Sequence, residues 1–438
     1  MMTHREESRD VPVVEETDVV VCGGGPAGIA AAILAARQGA RTRLIELHGC
    51  LGGVWTTGSL SWIIDSANKP GLMAEITSRL DDRDARRTRV KGGKNYAYDV
   101  EEMKLLLDEM CEEAGVEVRL LTRVVGAARD SENKLSVILT ESKSGREAWS
   151  AKAFVDATGD GDLGAIAGCG FDVGHPETGD VQPMSLMALI TGLAFNEIEA
   201  YVGGSMADPK KRLAALMDQI GVSPSYGHPT IFRIRDDLFA LMSNHQYGVK
   251  CDDSAQITTA TIRGRREVHT QVKALRALGG VWANMRVVST GAQIGVREGR
   301  RIHGRYEVTG QDLLEGARFE DAVCRVTMGI DVHSTDPGKT KMVEAKPHRS
   351  KPYDIPLRAL IAKDIDSLLM AGRCISGDFI AHSSYRVTGN AVSMGQAAGI
   401  CAALSAASGQ APQDVAWVDV KERLDRVNDR ETPLEVIA

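Results

Sequence analysis

A short stretch near the carboxyl end collects side chains suited to proton transfer and anion binding. His382, Tyr385 and Arg386 lie within five consecutive positions. An imidazole acts as a general acid or base near neutral pH, and a guanidinium holds a carboxylate or polarises a carbonyl group. We therefore predict that His382, Tyr385 and Arg386 are catalytic. The alternatives are a structural histidine and an arginine used in an internal ion pair.

The stretch from 291 to 306 carries a basic cluster made of Arg297, Arg300, Arg301 and His303. In a chain of net charge −7, such a cluster can bind an anionic group through bidentate contacts. The alternative is an ion-paired helix face that links two domains. We predict that Arg297 and Arg300 bind substrate, together with His228. Other histidines between positions 175 and 353 that could reach the site are His175, His245 and His333.

The scaffold for these side chains is clearest between positions 17 and 46. Val19–Val21 predicts a buried parallel strand, and Ile29–Arg37 predicts an alanine-rich helix packed tightly on a sheet. Thr42–Ile45 predicts a second strand, which ends in Glu46. The turn between the first strand and the helix has the G-x-G-x-x-G spacing, made by Gly23, Gly25 and Gly28. Together these elements predict a dinucleotide-binding βαβ unit.

Each part of this unit has a physical task. Gly23 permits the tight turn, Gly25 lets the backbone approach a pyrophosphate, and Gly28 lets the helix pack closely on the strand. The helix N-terminus offers free N–H groups and a positive dipole end to the phosphates. Glu46 can accept hydrogen bonds from an adenosine ribose, and its charge disfavours a 2′-phosphate. The sequence therefore favours FAD or NAD over NADP.

Two later stretches have the composition of cofactor-binding turns. In Phe154–Gly164, an apolar strand runs into Ala157–Thr158–Gly159. Ser367–Ala406 contains a strand, an Ala–Gly turn and a small-residue helix opened by Gly389–Asn390. That helix N-terminus would point its dipole at the pyrimidine edge of a flavin. The predicted cofactor-binding residues are Gly23, Gly25, Pro26, Ala27, Gly28, Glu46, Leu47, Gly52, Gly53, Trp55, Thr56, Val124, Ala157, Thr158, Gly159, Gly372, Arg373, Gly389, Asn390, Ala391 and Val392.

The eight cysteines are scattered and form no C-x-x-C pair. This spacing argues against a redox-active disulfide and against zinc or iron–sulfur ligation, and no metal is predicted. Cys50 lies in the glycine-rich loop after Glu46 and has two interpretations. It is either a small packed thiol or a neighbour, even a covalent tether, of the flavin ring.

Composition excludes several classes of function. A net charge of −7 does not suggest binding to nucleic acid, and no apolar run approaches the ~18 residues that span a membrane. The polar first sixteen residues lack a signal-peptide core. We predict a cytoplasmic protein whose partner is a small-molecule substrate, with no nucleic-acid or membrane partner. Whether the protein forms a homo-oligomer is left open.

We predict an α/β fold, a Rossmann-like FAD-binding domain of the two-dinucleotide-binding type with an inserted α+β substrate domain. No second G-x-G-x-x-G follows a strand after position 175, so a separate nicotinamide domain is not expected. The predicted divisions are a flexible leader at 1–16, the first part of the FAD-binding domain at 17–174, a substrate or cap domain at 175–353, and the second part of the FAD-binding domain with a C-terminal helix at 354–438.

The motifs together resemble the FAD-dependent oxidoreductase family, which is related to the flavin domains of fumarate reductase, thiazole synthase and the heterodisulfide reductase A subunit. They are CGGGPAG, GCLGGVWTTG, DATGDGDL, IGVREGRRIHGRY and AGRCISGDFIAHSSYRV…SMGQAAG, and they extend from about Thr17 to Ala406. The resemblance implies one bound FAD and a cofactor domain split in sequence. One departure is Arg373, at a position where many related flavoproteins place an acid near the ribityl chain or pyrophosphate.

These observations predict an FAD-dependent oxidoreductase, a dehydrogenase, oxidase or reductase. It would act on a small polar organic substrate by hydride transfer at flavin N5. The alternative is a non-redox or NAD-using lyase or synthase resembling thiazole synthase. A flavoprotein that modifies nucleic acid is a third hypothesis, and the net charge counts against it. Since no nicotinamide domain is expected, oxygen, a quinone or a partner flavoprotein would reoxidise the flavin. Transient NAD(P)H binding, as in single-domain hydroxylases, stays a further alternative.

Overall fold

The chain folds around a seven-stranded mixed sheet, in a computed structural model that describes residues 3–4, 6–88, 95–204, 206–344 and 349–429. In chain order the strands are β1 (Val13–Cys22), β2 (Thr42–Ile45), β3 (Arg86–Arg87), β4 (Ala97–Tyr98), β5 (Glu117–Arg119), β6 (Arg123–Arg129), β7 (Leu135–Ser142), β8 (Gly145–Asp156), β9 (Phe171–Asp172), β10 (Ala188–Thr191), β11 (Thr230–Arg233), β12 (Leu238–Met242), β13 (Arg286–Thr290), β14 (Arg301–Ile302), β15 (Ala322–Val326), β16 (Tyr353–Pro356) and β17 (Leu368–Met370).

Helices cover the sheet and link its strands. In chain order they are α1 (Pro26–Arg37), α2 (Leu72–Asp82), α3 (Val100–Glu113), α4 (Asp162–Ile166), α5 (Phe195–Ile198), α6 (Ala207–Gln219), α7 (Ser254–Ala277), α8 (Gly310–Glu315), α9 (Phe379–Tyr385), α10 (Thr388–Ser408) and α11 (Trp417–Asn428). Short 3₁₀ turns occur at Gly53–Trp55, Glu199–Tyr201, Gly280–Trp282, Leu357–Ala359 and Pro412–Asp414.

The main sheet has the strand order β5-β2-β1-β8-β7-β6, and β17 also pairs with β8. Strands β2, β1, β8 and β17 run parallel, and α1 makes the crossover between β1 and β2, whereas β6, β7 and the first half of β8 form antiparallel hairpins. The 12-residue β8 is long enough to pair with β7 at its beginning and with β17 at its end. This architecture confirms the predicted α/β, Rossmann-like fold.

The first strand begins earlier than the sequence predicted. Val13 pairs with Ala148 of β8, and the pairing continues to Cys22. The end of the predicted flexible leader therefore belongs to the sheet, because β8 extends far enough to offer it a partner. Other parts of the predicted leader and tail, at 1–2, 5 and 430–438, lie outside the described residues.

A second sheet lies within the range predicted for the inserted domain. It is antiparallel, in the order β11-β12-β10-β13, and has its own hydrophobic core with α6 and α7. Ile302 and Val308, from the same predicted range, instead pack into the core around the main sheet. The main core thus extends into the range assigned to the insertion, and the exact division of domains stays a prediction.

Helix α10 is long, apolar and almost entirely buried. Among the described residues it alone is long and apolar enough to cross a membrane, yet 83% of its apolar window is buried inside the protein. It lies against α1, where Gly395 and Gly399 face the carbonyl oxygens of Ala27 and Ala31. Its composition is therefore explained by a place between α1 and the sheet.

We expect Gly399→Ala to destabilise the fold. A Cβ at this position would lie 2.1 Å from the Ala31 carbonyl oxygen, which belongs to the backbone of α1. The better helix propensity of alanine returns about 1 kcal/mol, but separating two packed helices costs more, so we expect a net loss of about 2 kcal/mol or more. Urea unfolding measures the change. Gly49→Ala, whose added methyl meets only Leu121 at 3.6 Å, is the control. Equal stability of the two variants would contradict the packing described.

Candidate functional site

Three strands of the main sheet end at the same level. Cys22 of β1 and Met370 of β17 both lie opposite Asp156 of β8. Each strand is followed by a turn of small residues, and Gly23, Ala157 and Ala371 all line one cavity. Ligands of such sheets bind outside the carboxyl ends of the strands. The three turns that the sequence singled out therefore meet at one site, which we call the first cavity.

Many of the predicted cofactor residues line the first cavity. They are Gly23, Gly25, Pro26, Ala27, Glu46, Leu47, Gly53, Val124, Ala157, Thr158, Gly159, Gly372, Arg373 and Ala391. Lining residues that the sequence analysis missed include His48, Val54, Gly58, Thr122, Arg123, Asp160, Gln293, Gly295 and Thr388. Most of the missed residues lie in loops between elements, where the sequence carries no periodic signal.

The first turn fits a pyrophosphate. Gly25 precedes α1 with an extended backbone, no side chain caps the helix, and a Cβ on Gly25 would meet nothing within 4 Å. By contrast, a Cβ on Gly28 would lie 1.7 Å from the Gly23 carbonyl oxygen. Gly28 thus serves the packing of helix on strand, whereas Gly25 leaves space on the cavity side. A dinucleotide phosphate could approach that space and the N–H groups of the helix.

Glu46 is held in place at the end of β2. Its carboxylate accepts hydrogen bonds from the backbone N–H of Gly24 at 2.6 Å and of His48 at 2.7 Å. The side chain is buried but still lines the cavity. A carboxylate has about four acceptor positions, so free lone pairs remain for ribose hydroxyls. The predicted role of Glu46 fits this geometry.

Arg373 does not stand alone in the first cavity. Its Nη2 donates to Oδ1 of Asp160 at 2.7 Å, and both side chains line the cavity. Burial raises the pKa of the Asp160 carboxyl, and the charge of Arg373 opposes that shift. A carboxylate is thus present beside position 373, supplied by the turn after β8. The pair leaves little net charge at this edge.

Several predicted cofactor residues do not line either cavity described here. They are Gly28, Gly52, Trp55, Thr56, Gly389, Asn390 and Val392. Trp55 packs edge-on against Tyr98 with ring centroids 6.3 Å apart. A Cβ on Gly389 would lie 2.5 Å from the Asp65 carbonyl oxygen. These residues shape the loop and the helix that line the cavity.

A second cavity of about 490 Å³ adjoins the first. Both are lined by Val54, Gly295, Val296, Arg373, Arg386 and Thr388, so the two cavities are direct neighbours. Apolar walls of the second cavity include Leu60, Trp62, Ile64, Met187, Phe232, Met242 and Met328. Its polar groups include Lys210, Tyr226, Arg297, Asp331 and His333. A mostly apolar cavity with a few convergent polar groups is typical of a small-molecule site.

Arg386 lies at the junction of the two cavities. It follows the last residue of α9, two positions before α10 begins. Its Nη2 donates to the Asp331 backbone carbonyl at 2.7 Å and lies 3.8 Å from an oxygen of the Asp331 carboxylate. Its Nη1 donates to the Arg297 carbonyl at 3.3 Å. The structure thus places this predicted catalytic residue where both cavities meet.

Asp331 and His333 form a polar pair behind Arg386. Nε2 of His333 lies 3.4 Å from the Asp331 carboxylate. Burial alone would raise the pKa of Asp331, but the contact with His333 and the charge of Arg386 hold it well below its usual range. Burial, followed by the charge of Arg297, lowers the pKa of His333 to about 4. At neutral pH the carboxyl is therefore ionised and the imidazole neutral.

The other predicted catalytic residues face the protein core. The hydroxyl of Tyr385 donates to the Ile375 carbonyl at 3.1 Å, and His382 is fully buried with its ring centroid 5.5 Å from that of Tyr385. Neither lines either cavity. Helix α9 directs both side chains inward, so the structure separates them from Arg386. A structural histidine, the alternative interpretation of His382, fits this position.

The basic cluster divides in the structure. Arg297 lines the second cavity, whereas Arg300 pairs with Asp162 at 2.9 Å and lines neither cavity. Arg301 pairs with Glu298 at 2.9 Å in the interior. The segment 291–306 is mainly irregular and not a helix. The alternative interpretation, an ion-paired helix face that links two domains, therefore applies only in its ion pairs. His228 lies outside the second cavity, beside the ring of Tyr226 at 6.1 Å.

Cys50 lines neither cavity. Its Sγ lies 3.4 Å from Oγ1 of Thr57, and the side chain is half-buried. The packed-thiol interpretation fits this environment better than a tether. All eight cysteines of the chain are free, and the other seven are buried.

We expect stability to fall as the pH falls from 6.5 towards about 4. Burial lowers the pKa of His245, His333 and His382, so the unfolded chain binds protons in this window that the folded chain does not. Each such histidine contributes up to about 1.4 kcal/mol per pH unit. Asp156 opposes them, because burial raises its pKa to about 6 and the folded state takes up its proton first.

Thermal unfolding across this pH range tests the assignment with His382→Leu. The variant lacks one proton-binding group of the unfolded state, so its melting temperature should depend less steeply on pH than that of the wild type. His4→Leu, which changes an exposed histidine, is the control. A pH dependence identical to that of the wild type would show that His382 does not contribute.

Together, the turn at the N-terminus of α1, the position of Glu46 and the adjoining apolar cavity are typical of an enzyme that binds a dinucleotide cofactor beside a small-molecule site. The chain belongs to the FAD dependent oxidoreductase family, whose model matches residues 18–424. FAD is accordingly its cofactor, and the predicted family, cofactor and enzyme class are confirmed.

Solved structures with a similar fold have low sequence identity to this chain. A geranylgeranyl bacteriochlorophyll reductase-like protein from Thermoplasma acidophilum has 13% identity and a TM-score of 0.49, with 95% of this chain and 84% of that chain covered. The myxobacterial chondrochloren halogenase has 13% identity and a TM-score of 0.47, with 95% and 80% covered. The p-nitrophenol 4-monooxygenase from Pseudomonas putida has 13% identity and a TM-score of 0.44, with 95% and 85% covered. No curated protein matches the chain significantly.

Proposed function

We propose that this enzyme transfers the equivalent of hydride between a small polar organic molecule and FAD, with the substrate in the second cavity. The observation that carries the proposal is that the two cavities are direct neighbours with shared lining residues. The first has the turns that suit a dinucleotide, and the second adjoins it with apolar walls and convergent polar groups. When bound, FAD supplies a redox centre at N5 that accepts or donates the hydride equivalent.

The residues around the second cavity have separate tasks in this proposal. Arg386 positions a polar substrate group at the junction of the cavities, where a guanidinium can hold a carboxylate or polarise a carbonyl. Asp331 keeps Arg386 oriented through the backbone and carboxylate contacts. His333, neutral at pH 7, can accept a proton in the buried site. Trp62 and Phe232, whose rings lie 5.0 Å apart, help to exclude water.

The visible spectrum of the purified protein, before and after acid precipitation, is the first test. Flavin bands released to the supernatant would show non-covalent FAD, and colour retained in the pellet would show a covalent flavin. Anaerobic bleaching by an organic substrate, or anaerobic reoxidation of the reduced protein by one, would support the proposal. A flavin that no organic substrate bleaches or reoxidises would favour the lyase or synthase alternative.

The proposal requires one partner, the small-molecule substrate. It needs neither nucleic acid nor a membrane, and we separately propose a cytoplasmic location. Size-exclusion chromatography of the FAD-loaded protein would show whether it works as a homo-oligomer. These points about partners and location stay predictions.

A further inference from the structure

We propose that the second cavity binds an organic anion, a carboxylate on an apolar body, and that Arg297 holds its charge. The inference rests on the proposed function in one respect, because it takes the second cavity as the substrate site. It adds the chemical class of the substrate and the group that recognises it. Arg386 and the first cavity keep the roles given above.

The charges around the second cavity do not balance. Lys210, Arg297 and Arg386 line it, and Asp331 is the one carboxylate among the described lining residues. A fourth cation at the junction, Arg373, is neutralised by its pair with Asp160. The lining therefore carries two positive charges in excess, although the whole chain has a net charge of −7. Buried charges are costly unless they are paired, so this excess indicates an anionic ligand.

Arg297 is the cation with the clearest need for a counter-ion. Its guanidinium donates to the Pro183 backbone carbonyl and to Oγ of Ser185 at 3.2 Å, both uncharged acceptors. Within the described part of the chain, no carboxylate lies within ion-pair distance of it, whereas Arg386 has Asp331. Burial lowers the pKa of Arg297, although the nearby acidic groups oppose that effect. A planar guanidinium held by two neutral contacts is ready to bind a carboxylate.

The walls of the cavity define the rest of the ligand. Large apolar side chains line it, among them Trp62, Met187, Phe232, Met242 and Met328. Methionine and aromatic side chains suit an apolar body of irregular shape. A cavity of about 490 Å³ is larger than a simple acid such as acetate needs. These features favour an acid with an aromatic or branched aliphatic body.

The positive excess has a competing explanation, which is the charge of the cofactor phosphates. Arg297 lines the second cavity but not the first, where the pyrophosphate turn lies. Its contacts with Pro183 and Ser185 hold it on the side of the inserted sheet, which begins at Ala188. The position of Arg297 therefore favours a ligand of the second cavity over the phosphates.

Titration of the FAD-loaded protein with phenylacetate tests the inference. The change in the flavin spectrum and the heat of binding give the dissociation constant without any turnover. Phenylacetamide has almost the same shape and no charge, and acetate has the charge without the apolar body. We expect phenylacetate to bind about tenfold or more tightly than either. Equal affinity for phenylacetate and phenylacetamide, or no binding of phenylacetate, would overturn the inference.

The same titration with variants identifies the group that binds the charge. Arg297→Gln should weaken phenylacetate binding about tenfold or more and leave phenylacetamide unaffected, because it removes the charge and retains hydrogen-bond donors. Arg297→Lys should retain part of the affinity. Arg305→Gln, which changes a partly exposed arginine paired with Asp366, is the matched control. Unchanged phenylacetate binding in Arg297→Gln would remove Arg297 from this role.

The outcomes separate this inference from the proposed function. Carboxylate binding that depends on Arg297, in a protein whose flavin no acid bleaches or reoxidises, would keep the anion site and count against hydride transfer. Bleaching by neutral molecules alone, without carboxylate binding, would keep the proposed function and overturn the anion site.

Discussion

Gly25→Val should abolish FAD binding and leave the fold intact. We expect the affinity for FAD to fall by about a thousandfold or more, since a branched side chain would occupy the space beside the N-terminus of α1 that the pyrophosphate needs. The folded chain should tolerate the change, because the backbone of Gly25 is extended and an added Cβ meets nothing within 4 Å. The ratio of FAD to protein after purification, and a titration of the apoprotein with FAD, measure the loss.

The control for this prediction is Gly49→Val. Gly49 is exposed, lies outside the first cavity, and has room for a side chain apart from Leu121 at 3.6 Å. It should bind FAD like the wild type and unfold within about 0.5 kcal/mol of the wild-type apoprotein. Gly25→Val changes the N-cap of α1 and should lose about 1 kcal/mol, which leaves the chain folded. Normal FAD binding by Gly25→Val would mean that the cofactor does not pass this turn, and the first cavity would lose its assignment.

The second large effect is expected from Arg386→Ala. Turnover should fall about a hundredfold to a thousandfold, because the variant loses the guanidinium at the junction of the two cavities. FAD should stay bound, since the first turn and Glu46 are untouched. Steady-state kinetics with any substrate that bleaches the flavin, together with the flavin spectrum, measure both quantities. Normal turnover would remove Arg386 from the catalytic residues.

Two further variants separate a catalytic loss from a structural one. Arg386→Ala leaves the partly buried Asp331 carboxylate with His333 but without its cationic neighbour, and this loss destabilises the site. Adding Asp331→Asn removes that charge, so the double variant should recover stability but not turnover. Arg386→Lys keeps the charge without the planar fork, and partial activity is expected there. Recovery of turnover in the double variant would assign Arg386 a structural role.

Much of the cofactor site could be predicted from local sequence. The βαβ unit from β1 to β2 is continuous, so its glycine spacing, its helix and Glu46 are all set by neighbours along the chain. The other two turns were also predictable, since small residues after an apolar strand are typical of a backbone that approaches a cofactor closely. The sequence did not show that the three turns lie side by side. Their proximity depends on the parallel pairing of β8 with both β1 and β17.

The second cavity shows what only the tertiary structure decided. Trp62, Lys210, Arg297, Asp331 and Arg386 come from separate parts of the chain, and no spacing relates them. Asp331 and Lys210 carried no signal in the sequence at all. The stretch around Arg297 was singled out for its charges, yet its arginines separate. Arg300 and Arg301 pair with carboxylates, whereas Arg297 has no carboxylate partner among the described residues.

The stretch from His382 to Arg386 gives the physical reason most clearly. The sequence by itself determined that acid–base and anion-binding side chains lie together there, at the entrance to the last cofactor helix. It did not determine their directions, because α9 is buried and contacts neighbours on more than one face. Tertiary packing directs His382 and Tyr385 into the core and leaves Arg386, just after the helix ends, at the junction of the cavities.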